Sequence, residues 1–517
     1  MSASACLLPR RQPSSSIPKK QNASINSPIN SPSSTSNTPS RSGRPRLPRP
    51  EWSRKKNLQS QCLAEKYRET ELFLAQARQR LTQKEEQRLL TQWFETGLRD
   101  AFARDARRIV EDLFNDRQLI PDDSPPLPGE TVHKNRPIPV HTLFGTIALK
   151  RRYFHHANSH SGRAPLDLTL DLTEHHTPAL AKLICQASAN AGDSYLEAAG
   201  ILTVFTGLEL DPRSFHRLIN RLTPDLTEAL PTLAPSTSSK PIPILYLEND
   251  GTGVPSRAEE LAGRKGKQPD GSARTREAKL GCVFTQTTTD IDGNPMRDPD
   301  STSYVGTMGD CRASGEQLRG EAIRRGLALA QIVIFLGDGA AWIWENARLF
   351  FPAAIQILDF YHAVEHLGEL ARALYGDGEF GTAQQTIWAS ELKHSDVQGI
   401  LEQATRLLAA SPDLDEERRE NARREIAYFT THIERTRYGY FRSQGYFIGS
   451  GVIEAGCKTV IGRRLKQSGM FWGETGAENI LQLRCLLKSP HFEAAWQARR
   501  PILATRQAKS RRWLRAS

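Results

Sequence analysis

Acidic residues are missing from both ends of this chain. No Asp or Glu precedes Glu51, while residues 1–56 hold eleven Lys or Arg, and residues 499–517 hold seven basic residues and no acid. Between them lie 51 basic and 57 acidic residues, so the net charge of +11 resides in the two ends. Paired cysteines are missing too. Seven are scattered through 517 residues, never as C-x-x-C, which excludes a disulfide framework and a cysteine zinc site and fits a reduced cytoplasmic chain. The longest apolar segment, near 327–337, is too short to cross a bilayer, so no membrane partner is expected. A hydrophobic content of 38% suits a globular protein diluted by polar arms. The Pro- and Ser-rich stretch 1–56 lacks amphipathic periodicity and reads as a disordered basic arm rather than a transit peptide.

Two apolar runs stand out within this background. PIPILYLENDGTGVP carries Asp250 and Gly251 at its end, and QIVIFLGDGAAW carries Asp338 and Gly339. Both read as strands buried on two faces, each delivering one carboxylate to the C-terminal edge of a sheet, where the glycine would let a backbone, an ion or a phosphate approach. The runs EAKLGCVFTQTTTD, STSYVG and AAIQIL add strands, and helical periodicity between them predicts a mixed sheet flanked by helices over 242–362. An all-helical insertion is expected over 363–445. The core then returns over 446–490, with Ser450 placed to cap a helix carrying Glu454, before a basic tail over 491–517.

Upstream, 57–120 has apolar residues at three- and four-residue spacing and is expected to be helical. The region 121–230 combines a small β segment, turning at Gly145, with a helix-turn-helix outline. Asp211 and Pro212 open its second helix, which would offer Arg213, His216, Arg217, Asn220 and Arg221 to DNA, unless the pair is an ordinary packed hairpin. Arg463, Arg464 and Lys466 follow the Glu454 helix in a stretch free of acids from Lys458 to Trp472, which favours phosphate contact over a solvated face.

The order strand–Asp, strand–Asp, insertion, helix–Glu makes a hard-oxygen site suited to Mg²⁺ or Mn²⁺. A second pattern, H-x-x-E-H at His362, Glu365 and His366, matches a zinc-peptidase signature and defines a rival reading as a zinc metallopeptidase. The histidines His155, His156, His160, His175 and His176 match no tetrahedral spacing.

The blocks YLENDGTGVP, REAKLGCVF, STSYVG, FLGDGAAWIWENARLFFPAAIQILDFYHAVEHL and GSGVIEAGCKTVIGRRLKQSGMFW resemble bacterial insertion-sequence transposases of the Kra type, similar to the Mutator-like group of DDE transposases. The resemblance runs from about Thr142 to Leu487. It implies an RNase H-like catalytic core, with Asp250, Asp338 and Glu454 as catalytic ligands of two Mg²⁺ or Mn²⁺ ions, and a supporting role for Asp359 and His362 of a D-x-x-H motif. It implies DNA as partner, both element ends and target, a homo-oligomer on that DNA, and a cytoplasmic, nucleoid-associated location. Many relatives carry a cysteine pair just before the PLD motif, whereas HHANSHSGRAPLD has histidines only. A non-catalytic DNA-binding regulator, or a decayed copy, is the other alternative.

Overall fold

The computed structural model describes residues 69–81, 90–156, 161–192, 194–233, 240–266, 268 and 271–500, all within one unit spanning 64–517. The expected basic arm 1–56, His160 and the tail beyond 500 lie outside the described residues.

Two helices, α1 (Glu69–Leu81) and α2 (Leu90–Asn115), meet through Phe73, Ala77 and Ala101. A hairpin of β1 (Glu130–Thr142) and β2 (Gly145–His156), edged by β3 (Ser161–Arg163), follows. Gly145 takes a φ of +121° at its turn, which explains glycine there. The hairpin has a small core of its own around Val140, Ile147, Leu149 and Leu166.

Three helices come next: α3 (Pro178–Asn190), α4 (Tyr195–Thr206) and α5 (Pro212–Ala229). Their boundaries are local chemistry. Ser194 accepts the Glu197 N–H, Gly207 ends α4 in the left-handed region, and Asp211 accepts the Arg213 N–H with Pro212 in the first turn. Phe215, Leu218, Ile219, Leu222 and Leu226 recur at helical spacing and are fully buried. These side chains belong to the same continuous core as the main sheet, whereas the β1–β2 hairpin does not.

That sheet has five strands: β4 (Ile242–Pro255), β5 (Thr275–Gln286), β6 (Ser303–Thr307), β7 (Ala330–Gly337) and β8 (Ile355–Leu358). Their spatial order is β8-β7-β4-β5-β6, with β4–β5 and β5–β6 antiparallel and β4–β7 and β7–β8 parallel. The parallel steps require crossovers, supplied by α6 (Cys311–Arg324) and α7 (Ala341–Phe350). β4 lies at the centre, which is why its residues from Leu245 to Asn249 are buried without alternation. Tyr246 stacks on Phe284 of the neighbouring strand at 4.8 Å and donates to Gln286 Oε1 (2.6 Å).

The expected insertion is helical: α8 (Phe360–Tyr375), α9 (Glu379–His394), α10 (Gln398–Ala410) and α11 (Glu416–Thr431). Trp388 is its largest buried side chain, with Nε1 donating to Gln403 Oε1 (2.9 Å). The chain returns through α12 (Gly451–Gly456), a π-helical segment (Cys457–Gly462) and α13 (Glu474–Lys488).

Buried charge ties the periphery to this core. Glu321 of α6 is 1% exposed and accepts from His491 (2.7 Å), with Arg324 at 2.8 Å. Burial pushes its carboxyl up, but the His491 hydrogen bond and the charges of His491 and Arg324 outweigh burial and hold it at about 2. A carboxyl held below its unfolded value near 4.5 contributes stability above that pH, and the contribution fades as pH falls through the folded value near 2. The urea midpoint of the protein is therefore expected to decline below pH 4.5, and Glu321→Gln to flatten that decline. An unchanged acid profile in the variant would remove this pair from the account of acid stability.

Candidate active site

The parallel pairing of β4 with β7 ends at Glu248 opposite Leu336, and two residues further on each strand come Asp250 and Asp338. Asp338 is the first residue beyond β7, as expected. Asp250 is not a strand end: β4 continues to Pro255, paired only with β5, and Gly251 sits in that ladder opposite Lys279. Nor does Gly251 open space for a ligand. A Cβ there would fall 2.3 Å from Oε1 of the exposed Glu277 side chain, which occupies that place. The strand is longer than its apolar run because the hairpin partner β5 supplies backbone partners after β7 has stopped.

Asp250 accepts the Gly251 N–H (2.6 Å) and the Cys457 thiol (3.1 Å). Burial raises its carboxyl above the usual carboxylate range, the Cys457 hydrogen bond opposes this, and the charge of Asp338 adds to the rise. Asp338 accepts the Ala340 N–H (2.9 Å). Its carbonyl takes the Tyr428 hydroxyl of α11 (3.3 Å), so the insertion reaches back to the site. Gly339 has a φ of +101°, and a Cβ there would lie 2.3 Å from that hydroxyl; glycine is required for both reasons.

Glu454 is half-exposed on α12, with Lys458 Nζ 3.9 Å away. With Asp250, Thr252, Cys457, Lys458 and Lys466 it lines an open cleft of about 470 Å³, where Lys466 donates to Thr252 Oγ1 (2.8 Å). Asp338 does not line this cleft. Among the described residues, no group of three or more His, Cys, Asp or Glu side chains is close enough to hold a metal ion. The three expected ligands thus share one edge of the sheet without forming a coordination sphere. Their donors are hard carboxylate oxygens, and the rise at Asp250 beside Asp338 is the electrostatic condition that a cation relieves, so the residue types fit a divalent ion.

Asp359, fully buried at the end of β8, accepts the His362 N–H (2.7 Å) as the N-cap of α8, and its other oxygen accepts the Ser450 N–H. His362 lies with Nδ1 3.7 Å from Asp359. The Asp359 carboxylate first, and the charge of Asp338 among the others, push His362 up to about 9. His366 faces a different carboxylate, Glu425 (2.6 Å), and stacks on Tyr428 at 3.7 Å, while Glu365 points to solvent. The H-x-x-E-H residues are thus dispersed among separate partners, and neither they nor His155, His156, His175 and His176 enter a metal-holding group among the described residues.

Of the expected DNA contacts, Arg213, Arg217 and Arg221 form an exposed stripe along α5, with His216 exposed beside it. Asn220 is occupied: its amide meets His216 Nε2 (3.1 Å) and its oxygen accepts from Asn479 of α13 (3.0 Å). Arg463 and Lys466 are exposed. Arg464 is a correction. It is 1% exposed, donates to the Ser188 carbonyl (2.9 Å) and lies 5.2 Å from the rings of Tyr195 and Trp472, so it cannot meet a phosphate. Arg484, equally hidden, donates to the carbonyls of Ala189, Thr459 and Val460. Together they take the carbonyls at the end of α3 and in the π-helical segment, groups that a helix terminus leaves unpaired.

Sequence reasoning overlooked Glu248 and Cys457. Glu248 is fully buried two residues before Asp250; it accepts the Ile453 N–H (2.8 Å) and the Cys282 thiol (3.5 Å), and burial pushes it up to about 8. An acid inside an otherwise apolar central strand was its only signal. The π-helical segment after Glu454 gave none, although such segments concentrate at functional sites.

Arg464→Ala is expected to lower stability by about 1–3 kcal/mol in thermal or urea unfolding, because it strands a buried carbonyl. Arg463→Ala is expected to stay within about 0.5 kcal/mol. Equal effects of the two would contradict the assignment of Arg464 to the core.

No protein-family model matches the chain. It is similar to a "UPF0236 protein in vanSb 3'region" of Streptococcus gallolyticus, 22% identical over 372 residues that span 70% of this chain and 74% of that protein. Among solved structures it is similar to the Drosophila P element transposase strand transfer complex, at 10% identity and a TM-score of 0.28, covering 60% of this chain and 90% of that one. A superposition that loose carries no argument about fold or activity.

Proposed function

We propose that this chain is a DNA transposase of the DDE type, of the Kra-like, Mutator-related group, built on an RNase H-like core. What carries the reading is one observation: the parallel register of β4 and β7 brings Asp250 and Asp338 to the same level where the strands part, and Glu454 lines one cleft with Asp250. The reading is supported by a sheet with β4 central, antiparallel to β5 and parallel to β7, which is the mixed sheet flanked by helices expected over 242–362.

Asp250, Asp338 and Glu454 would hold two Mg²⁺ or Mn²⁺ ions, whose charge supplies activation of the attacking oxygen and stabilisation of the leaving one. In the free protein Lys458 balances Glu454, and His362 balances Asp338 and Asp359. Lys466 and Arg463 lie beside the cleft, and with Arg213, Arg217 and Arg221 they would bind the DNA backbone by phosphate contacts, which fix register rather than sequence. The chemistry comprises two in-line displacements at phosphorus. Water attacks at the element's end and the 3′-oxygen leaves, taking a proton to become a hydroxyl; that hydroxyl then attacks a target phosphodiester, losing its proton as the bond from phosphorus to the target strand's own 3′-oxygen breaks and that oxygen leaves as a hydroxyl. Pairing two element ends calls for at least two copies of the chain on DNA, in the cytoplasm at the nucleoid.

The test is divalent-ion-dependent strand cleavage of duplexes carrying the sequences that flank the gene. Asp250→Ala, Asp338→Ala and Glu454→Ala are each expected to lower the rate by roughly 100-fold or more, the scale of losing one group that carries transition-state charge, with duplex affinity retained. Unchanged cleavage in all three would sink the reading, and bound DNA without cleavage by the parent would leave a non-catalytic DNA-binding protein. Lys466→Ala is expected to reduce the slope of log affinity against log salt by about one. An unaltered slope would remove it from the DNA contact.

A further inference from the structure

We propose that Glu248 and Asp359 are positioning residues that jointly cap the Glu454 helix and hold Glu454 over the edge of the sheet. This rests on the reading of Glu454 as a site carboxylate. The helix α12 is only six residues long before it passes into the π-helical segment, so few internal hydrogen bonds stabilise it. Its first turn needs acceptors for N–H groups that no helical carbonyl reaches. Ser450, the residue expected to cap it, makes no side-chain cap hydrogen bond. Two carboxylates from elsewhere in the chain take its place. The Ile453 N–H donates to Glu248 Oε2 on β4 (2.8 Å), and the Ser450 N–H donates to Asp359 Oδ2 at the end of β8. The charge of Asp359 at the helix start is also favoured by the helix dipole.

Both carboxylates are 0% exposed, so neither can touch DNA or a substrate. Their acceptor patterns differ. Asp359 uses both oxygens on backbone N–H groups, one at Ser450 and one at His362, and so begins two helices at once. Glu248 uses Oε2 alone, for Ile453 and the Cys282 thiol, and Oε1 has no hydrogen-bond partner among the described residues. A buried carboxyl oxygen without a partner is costly, and a residue serving the fold alone would be better apolar. Since Glu248 precedes Asp250 by two residues on one strand, both side chains leave β4 on the same face. One strand therefore presents a site aspartate and, beside it, the anchor of the site glutamate. The position of Glu454 is thereby measured from β4 and β8 rather than from its own short helix.

The asymmetry supplies the test, made on the full chain by amide hydrogen–deuterium exchange without metal or DNA. Glu248→Gln keeps an acceptor for Ile453, so exchange over 450–458 is expected within about threefold of the parent. Glu248→Leu removes the acceptor and is expected to speed exchange there about tenfold, the scale of one lost buried hydrogen bond. Asp359→Asn cannot accept at both oxygens and is expected to speed exchange at 450–453 or at 360–363, although Glu248→Gln does not. In cleavage assays, Glu248→Leu is expected to lower turnover about tenfold with DNA affinity retained, and Glu248→Gln to restore it. Parent-like exchange in Glu248→Leu, or fast exchange in Glu248→Gln, overturns the proposal. If Glu248→Leu does not fold, the contrast between Glu248→Gln and Asp359→Asn decides, and equal exchange in those two overturns it. If exchange behaves as expected but Glu454→Ala cleaves normally, the cap stands and the assignment of the site falls.

Discussion

β4 is paired on one side by β7 only as far as Glu248, and on the other by β5 as far as Pro255. From Asp250 onward β7 no longer pairs with it, and Asp338 leaves β7 at the same level. A strand buried on both faces cannot carry charge along its length without compensation, but where its neighbour departs, carboxylates reach an edge that another element can cover. The Glu454 helix covers it. The two aspartates leave their strands at one level because parallel pairing holds β4 and β7 in register, and Glu454 shares a cleft with Asp250 because buried acceptors on β4 and β8 grip the start of its helix.

Much of the remaining structure keeps that edge in place. The helices over 178–229 are not an appended module. They share the core of the sheet, and their carbonyl ends are held by Arg464 and Arg484, which also contact the π-helical segment or leave the turn just after it. A guanidinium has five donors and suits a cluster of carbonyls that no N–H reaches. From the other side the insertion sends Tyr428 under Gly339, so the backbone of Asp338 is tied to α11. The exposed arginines of α5 and the glutamate helix consequently stand on one framework.

Legibility followed locality. The ends of α4 and α5 are written in Ser194, Gly207, Asp211 and Pro212, because caps depend on a few neighbouring residues. The hairpin turn at Gly145, the strand carrying Asp338 and the helical insertion were legible for the same reason. Ser450 illustrates the limit: its type and position suit a cap, yet its side chain makes no cap hydrogen bond, since Asp359 and Glu248 come from elements remote in sequence. Arg464 illustrates another. Beside Arg463 and Lys466 in an acid-free stretch it looks like a phosphate contact, and only its packing against Ser188 and the rings of Tyr195 and Trp472 reveals a core residue.

The sequence by itself determined which residue types could meet: two carboxylates each followed by glycine at the ends of apolar runs, a glutamate beyond a helical insertion, and basic residues free of acids. Periodicity and local hydrogen bonding suffice for that, because they act over a few residues. Tertiary structure decided how far β4 runs past Asp250, which of the arginines face solvent, and which buried acids hold the Glu454 helix. Those outcomes depend on partners dozens to hundreds of residues away, and burial and pairing at such separations are set only when the chain packs.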